Sequence, residues 1–407
     1  MLTQEENKQF SEILETFGET LDITETQYNA AVSSYKAVGE WLAKPESSLA
    51  PYKPEIRPQG SFMLGTMVRP VNEKDDLDID LVCELTGKNP SWTQYHLKQV
   101  VGNRLKDNES YKKMLDEEGR RCWTLIYSNN ANYHLDILPS LVCNGYNTVL
   151  EKAFSAKALS NDFDTLSIRI TDKEQGNYFI DPVAENWMKS NPFGYAKWFF
   201  NEASIDFRKT IMLSESVNPV PKYQKEKLPL QRVVQILKRH RDMMFNGHED
   251  KPISIIITTL ATKAYKKETS IIDALISISI NMENFIESRY DYDSGKFVKW
   301  IANPVNPEEN YADKWVEHPQ REMNFYKWIE QVKHDIPNIL QQRGLQNICN
   351  EMKNPFGEQV ITKTFSMLGE RSFNLRQSGS MGMNTGSGIL SSVGTVNTRP
   401  HNFHGND

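Results

Sequence analysis

Cysteine is scarce in this chain of 407 residues, long apolar runs are missing, and positive charge is in deficit. The four cysteines, Cys83, Cys122, Cys143 and Cys349, show no Cys-x-x-Cys pair and no Cys/His cluster. That spacing argues against a zinc module and a disulfide scaffold, and fits free thiols in a reducing cytoplasm. No stretch approaches the roughly 18 apolar residues that a membrane-spanning helix needs, so no membrane association is expected. Met1 to Lys8 lacks a basic segment followed by an apolar one, the mark of a secretory leader. Lys plus Arg number 47 against 53 Asp plus Glu, a formal charge of −6. An extended nucleic-acid surface needs clustered positive charge to replace counterions, so none is expected. The eight histidines include no HExxH and no clustered ligand spacing, and no catalytic part is assigned to them. What remains is an ordinary globular composition, 39% hydrophobic and 25% charged, long enough for two packed lobes.

Apolar Phe10, Ile13, Leu14, Phe17 and Leu21 recur at spacings of three and four, which predicts an amphipathic helix, with a second around Tyr28 to Leu42. Pro45, Pro51, Pro54 and Pro58 then punctuate an extended connector. Short β-type runs follow at Leu77 to Cys83, Trp123 to Tyr127 and Tyr133 to Leu138, the last two arranged to form a hairpin about Asn129-Asn130. Beyond Tyr195 the periodicity turns helical, with helices predicted over Leu230 to Phe245, Ile253 to Tyr265, Ile271 to Ile286, Trp315 to Val332 and Ile336 to Met352. From Gln377 the chain is rich in Gly, Ser, Thr and Asn without a period, which predicts a flexible tail.

One constellation carries chemistry. In Leu77-Asp78-Ile79-Asp80-Leu81 the two acids are two apart, so on a strand both carboxylates leave the same face. Paired hard oxygens suit Mg²⁺, which takes carboxylates together with substrate phosphates. Upstream, Gln59-Gly60-Ser61 offers a turn where backbone can approach a polyphosphate and present a hydroxyl and N–H groups. A third acid, Asp136, lies inside the apolar run Tyr133 to Pro139, where burial is costly without a neutralising partner. Taken alone, a D-x-D on a strand is most often the solvated face of an amphipathic sheet, and Asp136 alone could be a hydrogen-bonded strand end. The combination is much more specific.

These residues resemble the DNA polymerase β-like nucleotidyltransferase superfamily, whose pattern is a Gly-Ser turn, two alternating acids and a third strand-borne acid. Pro58 to Phe62, Gly65-Thr66, Asp78 to Val82, Tyr133 to Pro139 and Ser190 to Tyr195 look more narrowly like the bacterial cGAS/DncV-like nucleotidyltransferases of anti-phage CBASS signalling. The resemblance implies an α+β fold: a polymerase β-like sheet lobe plus a mostly helical second lobe, the bilobal OAS/cGAS arrangement. The implied organisation is residues 1–50 as helices bridging the lobes, 51–195 as catalytic lobe, 196–370 as helical lobe and 371–407 as tail. It implies metal-dependent synthesis of a cyclic oligonucleotide, with the cyclic dinucleotide foremost, from ATP and other NTPs. Asp78, Asp80 and Asp136 would hold Mg²⁺, for which Mn²⁺ could substitute, while Gln59, Gly60 and Ser61 would meet the donor nucleotide. A downstream effector would read the product.

Weaker signals lie in the second lobe. Lys238-Arg239-His240-Arg241 reads as a solvated basic face, although the resemblance implies a triphosphate contact for Lys238. Pro252 to Thr259 is β-branched enough for a strand, while its continuation and the resemblance favour a helix with Ser254 toward phosphates. Asn306, Pro307 and Glu309 fit a capping arrangement that would start a helix through Trp315; relatives carry a similar loop beside the nucleotide. The end, Arg399 to Asp407, is either a passive terminus or a tip captured by an E1/E2-like ligase, as the resemblance implies. Two alternatives remain: a nucleotidyltransferase acting on RNA or protein, and a nucleotide-binding scaffold without catalysis.

Overall fold

The computed structural model describes residues 2–71, 77–127, 133–155, 162–204, 222–292, 295–386, 388–391 and 396–398. The chain divides into two compact units. One comprises Met1–Asp22, Leu228–Ile301 and Tyr311–Asp407; the other comprises Ile23–Lys227 and Ala302–Asn310.

The second of these is built on a six-stranded mixed sheet. Its strands are β1 (Glu55–Pro58), β2 (Leu77–Thr86), β3 (Trp123–Tyr127), β4 (Tyr133–Val142), β5 (Ile168–Ile170) and β6 (Lys189–Ser190). They run in the order β1-β2-β4-β5-β6, with β3 also on β4; β2 and β4 are parallel and every other pair is antiparallel. A parallel pair needs a long crossover, and the helices Gln94–Lys106 and Glu109–Met114 with β3 supply it. Alternation sorts the side chains. Leu77, Ile79, Leu81, Cys83 and Leu85 of β2, Leu135 and Ile137 of β4, and Trp123 and Leu125 of β3 are buried in one cluster. Helix Glu25–Ala43 adds Tyr28, Val32, Tyr35, Val38 and Leu42 to it, and helix Gln94–Lys106 adds Leu97, Val101 and Leu105. The intervening strand residues, including all the acids of interest, therefore lie on the opposite face.

Gly102 shows how closely the crossover helix meets the sheet. A Cβ built there would lie 2.2 Å from the Trp123 ring, and the indole N–H donates to the Lys98 carbonyl at 2.9 Å. Gly102→Ala would gain helix propensity of about 1 kcal/mol, but overpacking a buried ring costs about 1–3 kcal/mol. The variant should therefore be less stable in urea denaturation followed by tryptophan fluorescence. A midpoint equal to or above that of the parent chain would contradict this packing.

The helical unit contains Gln4–Leu21, Pro229–Phe245, Ser254–Ala264, Ile271–Asn281, Pro319–Gln341, Leu345–Phe356 and Glu358–Gln377, with a hairpin of Glu287–Asp291 and Lys296–Trp300. Phe10, Ile13, Leu14, Phe17 and Leu21 are all buried, as their spacing requires, and so are Leu230, Val233, Val234 and Leu237. Inside this core the Arg232 guanidinium bonds Asp22 at 2.8 Å and Glu15 at 2.8 Å, and Gln235 also donates to Asp22. Gly18 leaves the room: a Cβ there would stand 2.5 Å from Arg232 Cδ. A buried ion is tolerable only when paired and fully hydrogen-bonded, which this network achieves.

Several predicted elements are revised. Asn306 does not cap a helix: Asn306–Asn310 is a strand paired with Ala302–Asn303, held by Asn303, which donates to Glu309 and accepts from the Val305 N–H. The Glu309 carboxylate that would complete a capping box accepts from Asn303 instead, and the helix starts only at Pro319, with proline in its first turn. The break expected between Val332 and Ile336 is absent, because the helix passes through Pro337 to Gln341 and stops where Gln342 turns extended, φ −69° and ψ 146°. The helix expected to Ile286 ends at Asn281, followed by a 3₁₀ turn over Met282–Phe285. Ile253 to Tyr265 is helical, over Ser254–Ala264, despite its β-branched residues. The tail expected from residue 371 is also revised. Helix Glu358–Gln377 runs through that boundary, and Gly382–Met383 pairs with both Leu390–Ser391 and Val396–Asn397. Met381 is buried there and Asn384 donates to Glu5. Arg399 to Asp407 and Asn129-Asn130 lie outside the described residues.

Candidate active site

The site begins where β1 ends. Gln59, in extended backbone, donates its N–H to the Asp80 carbonyl at 2.9 Å, which ties the turn to β2. Gly60 follows with φ +57°, and a Cβ on it would stand 2.4 Å from Asp80 Oδ2. Only glycine combines that dihedral with that approach. The short helix Gly60–Leu64 ends at Gly65 with φ +66°, and the Thr66 N–H closes back on the Ser61 carbonyl at 3.0 Å. Phe62 anchors the turn from below, stacked on Tyr28 at 4.8 Å and edge-on to Tyr35 at 6.3 Å. Ser61 is left half-buried on a turn fixed at both ends.

The parallel register then brings the acids together. Asp78 is directly opposite His134, Asp80 is opposite Asp136, and across the next ladder Asp136 is opposite Thr124. Residues paired in register share a face, so Asp78, Asp80, Asp136, His134 and Thr124 all point away from the core. Thr124 Oγ1–H donates to Asp136 Oδ1 at 2.5 Å. Asp78 keeps solvent contact, while Asp80 and Asp136 are half-buried. Neighbouring protein still thins the water around the Asp78 carboxyl enough to raise it from its ordinary value; the Asp136 charge adds to the rise and His134 opposes it. Such a group of like charges is short of a cation.

Among the described residues no three His, Cys, Asp or Glu side chains converge closely enough to enclose a metal ion. Asp136 is turned to Thr124, and Asp80 lies against the Gly60 turn. The donor set nonetheless fits a hard divalent cation: it is all carboxylate oxygen, on one face of two strands in direct register, and carries mutual repulsion that a cation would relieve.

Lys238 and Ser254 belong to the helical unit. Lys238 is buried on helix Pro229–Phe245, with Arg239, His240 and Arg241, so this basic run is not a solvated face. Ser254 opens helix Ser254–Ala264, and its hydroxyl accepts from Arg241 Nη1 at 3.0 Å; the same nitrogen donates to the Pro252 carbonyl. In Asn191-Pro192-Phe193-Gly194 the asparagine caps helix Pro192–Ala203: Oδ1 accepts from the Gly194 N–H at 2.8 Å and Nδ2 donates to the Phe163 carbonyl. That motif is structural where it stands. Two further residues share the face of the acids. His134 precedes Asp136 by two and lies on its face. Thr124 carries no motif, and only the strand pairing reveals it.

Residues 54–139 match the model of the "Cyclic GMP-AMP synthase DncV-like, nucleotidyltransferase domain" family. The chain is 28% identical, over 91% of its own length and 90% of the relative, to a c-di-GMP synthase of Roseivirga ehrenbergii. It is 21% identical, over 84% of its length and 79% of the relative, to the cyclic dinucleotide synthase CdnG of Bradyrhizobium diazoefficiens. The solved structure of that Bradyrhizobium CdnG in complex with GTP superposes with a TM-score of 0.63 at 18% identity, covering 87% of this chain and 96% of the other. That last likeness is one of fold, and it agrees with the α+β architecture read from the sequence.

Proposed function

We infer, from a chain whose residues 54–139 form a DncV-like nucleotidyltransferase domain, that this protein joins nucleoside triphosphates into a cyclic dinucleotide signal of anti-phage defence. The observation that carries the reading is the register Asp80 opposite Asp136, two residues along β2 from Asp78, with the Gly60-Ser61 turn tied to the same strand through Gln59. The names of both relatives support a cyclic dinucleotide product, and that of the Roseivirga enzyme makes guanine nucleotides the first substrates to test.

The residues divide the work. Asp78, Asp80 and Asp136 would hold Mg²⁺, with Mn²⁺ able to substitute; such an ion, when bound, activates a hydroxyl nucleophile and neutralises charge on the triphosphate. Gln59, Gly60 and Ser61 bind the donor, with the Ser61 hydroxyl and turn N–H groups directed at its phosphates. Asp136 orients the attacking ribose hydroxyl. That oxygen bonds to the α-phosphorus, the bond to the leaving pyrophosphate breaks, and the hydroxyl proton leaves with solvent. A linear dinucleotide triphosphate forms first, and a second transfer of the same kind closes the ring. Triphosphate contacts by Lys238 and Ser254 belong to the same reading; Ser254 would then exchange its bond with Arg241. The reading extends to a cytoplasmic setting, an effector that senses the product, and capture of residues 399–407 by an E1/E2-like ligase. Among the described residues no helix is long and apolar enough to cross a membrane.

Incubation with all four NTPs and Mg²⁺ or Mn²⁺, followed by phosphatase and mass spectrometry, should give pyrophosphate and a phosphatase-resistant cyclic product. Exclusively linear, phosphatase-sensitive chains, or label transferred to RNA or protein, would replace this reading with the other nucleotidyltransferase activity.

A further inference from the structure

We propose that Thr124 is a positioning residue for the reaction: its hydroxyl sets the direction of the Asp136 carboxylate, and with it the strength of cation binding. The proposal rests on the function inferred above and concerns a residue outside its motifs.

Asp136 sits at a disadvantage. Its carboxylate shares a sheet face with Asp78 and Asp80, so repulsion tends to swing it away. An aspartate on a strand face has two free torsions, and holding one rotamer against like charge needs a restraint. Thr124 is the residue directly across the antiparallel ladder from it. Its bond to Asp136 Oδ1 is short, 2.5 Å, in the range of hydroxyl donation to a charged oxygen. Threonine is suited to the task because branching at Cβ leaves few χ1 rotamers in a strand, so the hydroxyl is aimed before the bond forms. The bond also occupies one lone pair of Oδ1 and leaves both of Oδ2 for a cation or a ribose hydroxyl.

The surroundings separate this from a packing role. On β3 the neighbours Trp123 and Leu125 face the core and are buried, while Thr124 faces the acids and is only partly covered. Exchanging its hydroxyl for a methyl therefore leaves the hydrophobic cluster untouched. Partners that orient metal-ligating groups typically change affinity or activity by about 10- to 100-fold when removed.

The test compares Thr124→Val, which keeps shape and loses the donor, with Thr124→Ser, which keeps the donor. Two readouts are taken: Mn²⁺ binding to the nucleotide-free protein by electron paramagnetic resonance, and steady-state turnover. Thr124→Val should bind Mn²⁺ about 10- to 100-fold more weakly and lose kcat to a similar extent. KM for the NTP should stay within about twofold and the melting temperature near that of the parent. Thr124→Ser should retain most of both. Unchanged Mn²⁺ binding in a folded Thr124→Val protein would overturn the proposal, as would equal losses in both variants accompanied by lowered melting temperatures. If the parent chain makes no nucleotide product, the functional reading fails while the Mn²⁺ measurement still decides the role of Thr124.

Discussion

Asp80→Asn is expected to stop product formation, lowering turnover by about 10³-fold or more, the upper end of what removing one stabilising group from an active site costs. Asp80 occupies the middle of the charged face, two residues from Asp78 on β2 and directly opposite Asp136 on β4. Replacing it with asparagine removes one negative charge and half the acceptor capacity while volume hardly changes. Its backbone carbonyl still accepts from Gln59, so the turn stays tied to the strand. The residues flanking it, Ile79 and Leu81, are fully buried, so the strand keeps its place. The fold should therefore survive, and Asp78→Asn should behave alike. Pyrophosphate release measured beside a circular dichroism melt checks both statements, and parental turnover by a folded Asp80→Asn protein would sink the site assignment.

Gly60→Ala should be nearly as damaging, for a different reason. The alanine would need φ near +57°, which costs an L-residue roughly 1–2 kcal/mol. Its methyl would also stand 2.4 Å from Asp80 Oδ2, so either the carboxylate or the turn must move. A displacement on the order of 1 Å in a reacting site is enough for about 10²-fold in rate. Gly87→Ala is the control: Gly87 has φ +82° and nothing within 4 Å of a built Cβ, so it shares the backbone cost without the carboxylate clash. Similar melting temperatures for the two variants, with activity lost only in Gly60→Ala, is the expected pattern. Equal activity in both would mean that the approach of Gly60 to Asp80 has no part in the reaction.

The candidate site was legible in the sequence to the extent that it follows from strand geometry. Asp78 and Asp80 share a face because they are two apart, and Ile79 and Leu81 between them declare which face is core. Gly60 and Ser61 announced a turn for similar local reasons. His134 obeys the same alternation and could have been read with Asp136. Elsewhere, local patterns pointed two ways. Asn306, Pro307 and Glu309 satisfy a capping box as well as they satisfy a turn. The choice fell to Asn303 and the strand Ala302–Asn303, whose bonds compete with a cap inside the same short stretch of chain. The β-branched run from Ile253 became helix because tertiary packing outweighs β propensity, with Ile256, Ile257 and Leu260 all buried. The polar composition after Gln377 promised no core, yet backbone pairing about Gly382–Met383 needs few side chains.

By itself the sequence determined the charge balance, the helical stripe of Phe10 to Leu21, the alternation of β2 and β4, and three acids confined to strand faces. These are properties of one segment, set by periods of 3.6 and 2 that neighbouring residues impose on one another. Only the tertiary structure decided that β2 and β4 lie parallel with Asp80 opposite Asp136, that Asp80 meets the backbone at Gly60, and that Thr124 holds Asp136. Each of these depends on which strand lies beside which and in what register. A shift of one residue would turn every acid to the other face, and the burial of Leu77, Ile79, Leu125, Leu135 and Ile137 in one core fixes that register.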